Sequence, residues 1–242
     1  MEYIYICKMV SQKLIDKKMT QFTQEDFKIF EEIEEIRENI KKQNHEIKFL
    51  DFGAGNPEDT RDDKMMSQGV PTIKYTSELC QIGLKNNWAQ LIYSLVKENK
   101  PNTILELGTC CGFSSIYMSK ASNSSTIYTI EGACEVAKIA TQNIQKANCD
   151  NIIQKIGKFN DILKPLLQEI KNVDFAFIDG HHDKDATIKY FEEIKPFLTK
   201  NAIVIFDDIS WSEGMKESWQ IITQDKGIKK YENLEKLGIC YL

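Results

Sequence analysis

Acidic and histidine side chains follow two apolar segments in the second half of the chain. The segment VDFAFID ends in Asp179 and is followed by the paired His181 and His182, and NAIVIFDD ends in Asp207 and Asp208. Carboxylate oxygens suit hard divalent cations such as Mg²⁺, Mn²⁺ or Ca²⁺. A bound cation lowers the pKa of a hydroxyl group, and a nearby histidine can accept its proton near neutral pH. The pattern therefore predicts a site that activates a hydroxyl group.

A strand, a glycine-bearing turn and a helical pattern follow one another in residues 101–120, PNTILELGTCCGFSSIYMSK. Gly108 and Gly112 let the backbone of the turn approach a ligand, and the free N–H groups of the helix point toward it. Glu131 ends the next apolar run, IYTIE, where a carboxylate can accept hydrogen bonds from ribose hydroxyls. We interpret this arrangement as a binding site for S-adenosylmethionine.

A second glycine-bearing segment, LDFGAGN, competes for the same assignment. Pro57 and a charged run follow it, so no apolar helical pattern is present to offer a helix N-terminus to a ligand. We therefore expect residues 51–70 to form a loop that borders the substrate site.

Strands and helices alternate from position 101 onward. The apolar runs TILEL, TIYTIE, NIIQKI, VDFAFID and NAIVIFDD are separated by helical patterns at 113–121, 133–147, 161–171, 184–198 and 213–224. Continuous apolar strands between helices indicate a parallel sheet covered on both faces, with ligands beyond the carboxyl ends of the strands. The predicted fold is α/β, a doubly wound Rossmann-like sheet that is mostly parallel and ends in an antiparallel hairpin.

The first hundred residues predict a helical or lid region, 1–100, ahead of a cofactor-binding domain, 101–242. Apolar residues recur at helical spacing over 23–45 and again in two runs within 76–99, and no function is assigned to residues 1–19. The helix over 23–45 is expected to be a packing helix, with a dimer contact or a substrate lid as the alternatives.

Composition narrows the classes of partner. The net charge is -5 and the basic residues are spread along the chain, which disfavours a nucleic-acid partner. Seven cysteines without a CxxC pair favour a reduced compartment, and the N-terminal apolar stretch is too short for a signal peptide. We therefore expect a cytoplasmic protein without membrane association.

Four segments in this order carry a family resemblance: LELGTCCGFSS, TIEGACEVAKIATQNIQKA, DFAFIDGHHDKDATIKYFEEI and AIVIFDDISW. They resemble class I S-adenosylmethionine-dependent O-methyltransferases. The glycine-rich turn is most similar to catechol O-methyltransferase, and IDGHH and FDDISW are more similar to bacterial small-molecule and sugar O-methyltransferases. The resemblance covers 48–242 and implies methylation of a small hydroxylated molecule, with a divalent cation, Mg²⁺ or alternatively Mn²⁺ or Ca²⁺.

The resemblance also implies roles for individual residues. Those expected at the cofactor are Glu106, Gly108, Cys110, Gly112, Ser114, Glu131, Gly132, Phe159, Asn160 and Asp179. The expected metal ligands are Asp179, Asp207 and Asp208, the last of which is often Asn in the family.

The general base remains open at this point. Catechol-type enzymes have a lysine three residues after the first metal-binding Asp, where this chain has His182, with Lys184 two positions further on. His182 is preferred over His181 and Lys184. The alternatives for the whole chain are a metal-independent methyltransferase and a cofactor-binding protein without catalysis. A nicotinamide-dependent oxidoreductase is disfavoured because the turn lacks GxGxxG.

Overall fold

Two β-sheets with surrounding helices form the structure, a computed structural model that describes residues 20–55, 59 and 61–242. The strands are β1 (Glu46–Asp51), β2 (Val70–Tyr75), β3 (Thr103–Leu107), β4 (Thr126–Glu131), β5 (Ile152–Ile156), β6 (Val173–Ile178), β7 (Leu198–Phe206), β8 (Lys230–Leu234) and β9 (Leu237–Tyr241). β1 and β2 form an antiparallel pair. The larger sheet has the order β5-β4-β3-β6-β7-β9-β8.

Strands β3 to β7 run parallel, and β9 lies antiparallel to both β7 and β8. The predicted α/β fold with its C-terminal hairpin is therefore confirmed. Strand β3 explains why the apolar runs are continuous: Ile104 belongs to one apolar cluster, whereas Leu105 and Leu107 belong to the cluster on the opposite face.

Helices lie in the order α1 (Gln24–Gln43), α2 (Asp63–Gln68), α3 (Thr76–Leu79), α4 (Asn86–Asn99), α5 (Phe113–Ala121), α6 (Cys134–Lys146), α7 (Phe159–Ile170), α8 (Lys184–Ile194) and α9 (Glu213–Ile222). The helix expected over 184–198 ends earlier, because a 3-10 turn at Lys195–Phe197 leads directly into β7. No helix within these described ranges has the length and apolarity to cross a bilayer.

Segment 51–70 differs from the continuous loop expected from the sequence. Strand β1 ends at Asp51, Asp62 caps the short helix α2 through the backbone N–H of Met65, and β2 begins at Val70. The helix and each of the two strands are six residues long, so the periodicity of their apolar residues extends over too few positions to be recognised from the sequence. Residues 1–19 and Pro57 lie outside the described residues.

Helix α1 packs against the sheet domain rather than standing apart from it. A capping box between Thr23 and Asp26 begins the helix. Phe30 and Ile33 on its buried face belong to the same apolar cluster as Ile104 of β3. The apolar core is therefore continuous across position 100, and the proposed division into 1–100 and 101–242 stays a prediction.

Arg37 is a buried cation that joins α1 to the segment before α4. Its guanidinium donates to the backbone oxygens of Cys80 at 2.7 Å and Leu84 at 3.1 Å, pairs with Glu34, and lies 3.8 Å from the ring centroid of Phe113. These contacts satisfy carbonyl groups that have no access to water.

Replacing Arg37 by Met should lower the free energy of unfolding by about 2 to 4 kcal/mol, because two buried carbonyl oxygens lose their donor. Urea denaturation measures this change. Lys41→Met is the matched control on the same helix, because the pair of Lys41 with Glu38 is exposed; the control should change stability by no more than about 0.5 kcal/mol. Equal effects of the two substitutions would contradict the role of Arg37.

Candidate active site

A cavity of about 480 Å³ lies beyond the carboxyl ends of the parallel strands and beside the β1–β2 pair. Of the residues expected from the sequence, it is lined by Gly108, Cys110, Glu131, Gly132, Phe159, Asn160, Asp179, His181, His182 and Asp208. Its volume falls within the range of small-molecule binding pockets. Most of the residues proposed for the cofactor thus share one space with most of those proposed for chemistry. Those not among its lining residues are Glu106, Gly112, Ser114, Lys184 and Asp207.

Gly108 allows the turn after β3 to pack against the end of β6. Its φ is +100°, and a Cβ at this position would lie 1.9 Å from the backbone oxygen of Asp179. Gly112, with φ +85°, precedes α5 without supplying a side-chain cap. The first N–H groups of α5 are therefore not occupied by a capping side chain at that position.

Glu131 connects this turn to the start of α6. Its Oε2 accepts a hydrogen bond from the backbone N–H of Cys110 at 2.8 Å, and its Oε1 accepts one from Ala133 at 2.9 Å. Burial raises the pKa of Glu131, and the two backbone donors oppose that rise. Each carboxylate oxygen has a second lone pair. The side chain can therefore hold the turn and still accept a hydrogen bond from a ligand in the cavity.

Glu106 lies beneath the turn and does not line the cavity. Its Oε2 accepts hydrogen bonds from Ser115 and from Thr129 at 2.6 Å, whereas Oε1 is buried without a hydrogen-bond partner among the described residues. Burial raises the pKa of Glu106 to about 7, although the hydroxyls of Ser114, Ser115 and Thr129 oppose the rise. These contacts support the shape of the turn and give no contact with a ligand in the cavity.

Asp179, Asp207 and Asp208 meet at one edge of the sheet, but a lysine already holds two of them. The Nζ atom of Lys236 lies 2.8 Å and 2.9 Å from the two carboxylate oxygens of Asp207, and 2.5 Å from Oδ1 of Asp208. Within the described ranges, no group of three or more His, Cys, Asp or Glu side chains could hold a metal ion. In this arrangement the three carboxylates do not fit a divalent cation.

The charges in this cluster depend on one another. Burial raises the pKa of Asp179 and of Asp207; the charge of Asp207 raises that of Asp179 further, and the charge of Asp208 does so for Asp207. Burial disfavours the charged form of Lys236, but the two carboxylates that contact it outweigh this effect and raise its pKa. The ammonium group therefore remains charged beside them.

The two histidines have different environments. His181 Nδ1 lies 2.8 Å from the hydroxyl oxygen of Tyr190, and burial lowers the pKa of His181, which keeps the ring neutral at neutral pH. His182 Nε2 lies 3.6 Å from Oδ1 of Asp179, and its ring lies beside Trp211 at a centroid distance of 6.4 Å. His182 is thus the histidine adjacent to the carboxylate cluster.

Lys184 is not brought into the cavity. Its Nζ lies 2.5 Å from a carboxylate oxygen of Glu217 on α9, and it is not among the residues that line the cavity. The alternative in which Lys184 is the general base therefore has no support in this structure, because its side chain points to a surface ion pair.

Residues 50–55 of the LDFGAGN segment form a wall of the same cavity, in agreement with the expectation that the segment borders the site. Arg61 donates to Oδ2 of Asp51 and to the backbone oxygen of Gly53, both at 2.9 Å. Phe52 packs so closely on Gly132 that a Cβ there would lie 2.8 Å from its ring. The glycines of this segment line the cavity wall. In the sequence, the segment is distinguished from the turn after β3 because no apolar helical pattern follows it.

An α/β sheet, a glycine turn at the end of its first parallel strand and an acid at the end of the next are together the arrangement of Rossmann-like folds. The family described as a methyltransferase domain matches residues 105–209. A catechol O-methyltransferase from Niastella koreensis is 29% identical over 53% of this chain and 58% of its own length. The present chain thus spans little more than half of that relative.

Solved structures show the same fold. A protein from Staphylococcus aureus, provisionally assigned as a caffeoyl-CoA O-methyltransferase, has a TM-score of 0.61 and 18% identity, covering 96% of this chain and 99% of its own. An O-methyltransferase from Bacillus cereus, solved with S-adenosylhomocysteine, has a TM-score of 0.58 and 20% identity over 69% of this chain and 86% of its own. The predicted resemblance to class I S-adenosylmethionine-dependent O-methyltransferases is confirmed: residues 105–209 match the model of a methyltransferase domain, and the relatives and solved structures named here are O-methyltransferases.

The raised pKa of Glu106 predicts a loss of stability as the pH rises. The folded chain retains the proton of Glu106 up to about pH 7, whereas the unfolded chain loses it near the ordinary value of 4.5. Raising the pH from 5 to 8 should therefore favour unfolding by about 2 to 3 kcal/mol through this residue.

Urea denaturation of the unchanged chain and of Glu106→Gln at several pH values isolates this contribution, since all other ionisable groups are shared. The stability difference between the two proteins should shift in favour of the variant as the pH rises. Parallel pH profiles would show that Glu106 does not retain its proton in the folded state.

Proposed function

We propose that this chain transfers the methyl group of S-adenosylmethionine to a hydroxyl group of a small molecule. The observation that carries the proposal is the shared cavity, which is lined by the glycine turn, Glu131 and His182 together. A relative that matches over 53% of the chain carries the name catechol O-methyltransferase, which supports a hydroxylated acceptor. The localisation in the cytoplasm and the absence of a nucleic-acid partner stay predictions.

Several of the residues expected at the cofactor line the cavity. Gly108 and Cys110 bring backbone to the cavity, Glu131 supplies acceptors for ribose hydroxyls, and Phe159 with Asn160 lies where the family resemblance implies the adenine. When bound, S-adenosylmethionine supplies a methyl group whose bond to sulfur breaks as its bond to the acceptor oxygen forms. The residues around it mainly align the two reactants.

His182 is the proposed acceptor of the hydroxyl proton. It lines the cavity, and its Nε2 lies 3.6 Å from Oδ1 of Asp179. His181 is already hydrogen-bonded to Tyr190, which leaves it the smaller role of fixing the local backbone.

Divalent-cation dependence is the finer part of the proposal, and the family resemblance and the contacts in this structure favour different answers. The resemblance favours a cation held by Asp179, Asp207 and Asp208, which would acidify the acceptor hydroxyl. The contact of Lys236 with Asp207 and Asp208 instead favours a metal-independent reaction. A chain that binds cofactor without catalysis is the remaining alternative.

Calorimetry with S-adenosylhomocysteine and mass spectrometry of reaction mixtures test the proposal. The mixtures contain S-adenosylmethionine and a panel of catechols, phenols and sugars, with and without EDTA. Micromolar binding and a methylated product are expected. Binding without any product across the panel would support the non-catalytic alternative, and affinity weaker than the millimolar range would overturn the proposed function.

Replacing Glu131 by Gln should weaken the binding of S-adenosylhomocysteine at least about tenfold, because a charged acceptor for the ribose is lost. Calorimetry measures the change. Glu135→Gln is the matched control, since Glu135 is an exposed acid in the first turn of α6, the helix that follows Glu131. The assignment of Glu131 fails if both variants bind as the unchanged chain does.

His182→Ala should lower kcat by about 10²- to 10⁴-fold and change the affinity for S-adenosylhomocysteine by less than about threefold, as expected for a general base. Initial rates on the acceptor found in the panel, combined with calorimetry, separate the two effects. His45→Ala, at an exposed position before β1, should match the unchanged chain. A His182 variant with full activity would remove this histidine from the mechanism.

A further inference from the structure

Lys236 reaches the carboxylate cluster because of the strand register at the end of the sheet. In the antiparallel pair of β7 and β9, Phe206 lies opposite Gly238. Continuing that register by two residues brings position 236 opposite position 208. Lys236 is in the two-residue link between β8 and β9, and its backbone oxygen accepts a hydrogen bond from Ile209 at 3.1 Å. The link is therefore tied to the segment that carries Asp208.

The ammonium group of Lys236 occupies the space between two carboxylates. It contacts both oxygens of Asp207, whose side chain is 1% exposed, and Oδ1 of Asp208. Burial of a carboxylate is unfavourable unless an opposite charge or a hydrogen bond compensates for it. Lys236 supplies both, through three short contacts to the same pair of side chains.

The positive charge of Lys236 balances the negative charge of Asp208. Asp208 contributes one negative charge to the cluster, and Lys236 contributes one positive charge beside it. The remaining carboxylate, Asp179, has His182 Nε2 at 3.6 Å. Each member of the cluster thus has a nitrogen of this chain as its neighbour.

We infer that Lys236 is a built-in cation that replaces the divalent ion at this edge of the sheet and positions Asp207 and Asp208 for a metal-independent reaction. Lys236 does not line the cavity, whereas Asp208 does, so the lysine acts through the aspartates as a positioning residue. The role of Lys236 in the reaction rests on the proposed function. Its second effect, that it prevents a divalent cation from binding to Asp207 and Asp208, can be measured without any methyl transfer.

Binding of Mn²⁺, followed through the electron paramagnetic resonance signal of the free ion, tests the inference on the full chain. The unchanged chain should show no stoichiometric binding below about millimolar Mn²⁺. Lys236→Ala should bind one Mn²⁺ at least about tenfold more tightly than the unchanged chain, because two clustered carboxylates lose their internal cation. The double variant Lys236→Ala with Asp208→Asn should lose most of that gain.

Two controls separate this effect from a general change in charge. Lys236→Arg retains the positive charge and should resemble the unchanged chain. Lys230→Ala removes an exposed lysine from the same hairpin, where it pairs with Glu232, and should leave Mn²⁺ binding unaltered. Stoichiometric, micromolar Mn²⁺ binding by the unchanged chain would overturn the inference, and this outcome remains decisive if Lys236→Ala fails to fold.

Activity provides a second readout. Once an acceptor is found, the unchanged chain should keep its full rate in EDTA, and a rate that falls more than about tenfold in EDTA and returns with Mg²⁺ or Mn²⁺ would contradict the inference. Calorimetry with S-adenosylhomocysteine on the same samples distinguishes the two proposals. Normal cofactor affinity with tight Mn²⁺ binding removes the role of Lys236 alone, whereas absent cofactor affinity removes the proposed function.

Discussion

Close packing between the turn after β3 and the end of β6 is the constraint on which the rest of the site depends. Gly108 is so near the backbone oxygen of Asp179 that a single added Cβ would lie 1.9 Å from it. The backbone N–H of Gly108 donates to Ile130, and that of Asp179 donates to Leu107. Three neighbouring strands are thereby joined at one point. The turn after β3 and Asp179 therefore lie side by side in the wall of the cavity.

Three carboxyl groups at this edge of the sheet are stabilised by three kinds of partner. Glu106 has hydroxyl groups, Glu131 has backbone N–H groups, and Asp207 has the ammonium group of Lys236. Burial raises the pKa of each of the three acids, so the partner decides which form is retained. Hydroxyls tolerate a protonated acid, whereas an ammonium group at 2.8 Å favours an ionised one. Similar side chains therefore have different electrostatic roles.

The pattern of apolar residues and glycines within short stretches of the sequence was sufficient to predict the parallel strands and the glycine turn after β3. Continuous apolar strands and the two glycines before α5 lie within short stretches of chain, so their structure follows from neighbouring residues. The β1–β2 pair was missed because neither strand is a continuous apolar run and because its partner lies beyond the intervening segment. Lys236 was missed for a different reason. Its contact with Asp208 depends on the register of two antiparallel strands, and a shift of one residue would direct the side chain to the opposite face.

One hydrogen bond links the far wall of the cavity to the segment that carries the histidines. The backbone N–H of Ala54 donates to the backbone oxygen of His181 at 2.9 Å. His181 and His182 both have positive φ, at 70° and 48°. Residues other than glycine are strained in this conformation, and contacts with the surrounding structure maintain it. Any displacement of Ala54 that widens the cavity must first release this bond. The width of the cavity and the backbone conformation next to the proposed base are therefore mechanically coupled.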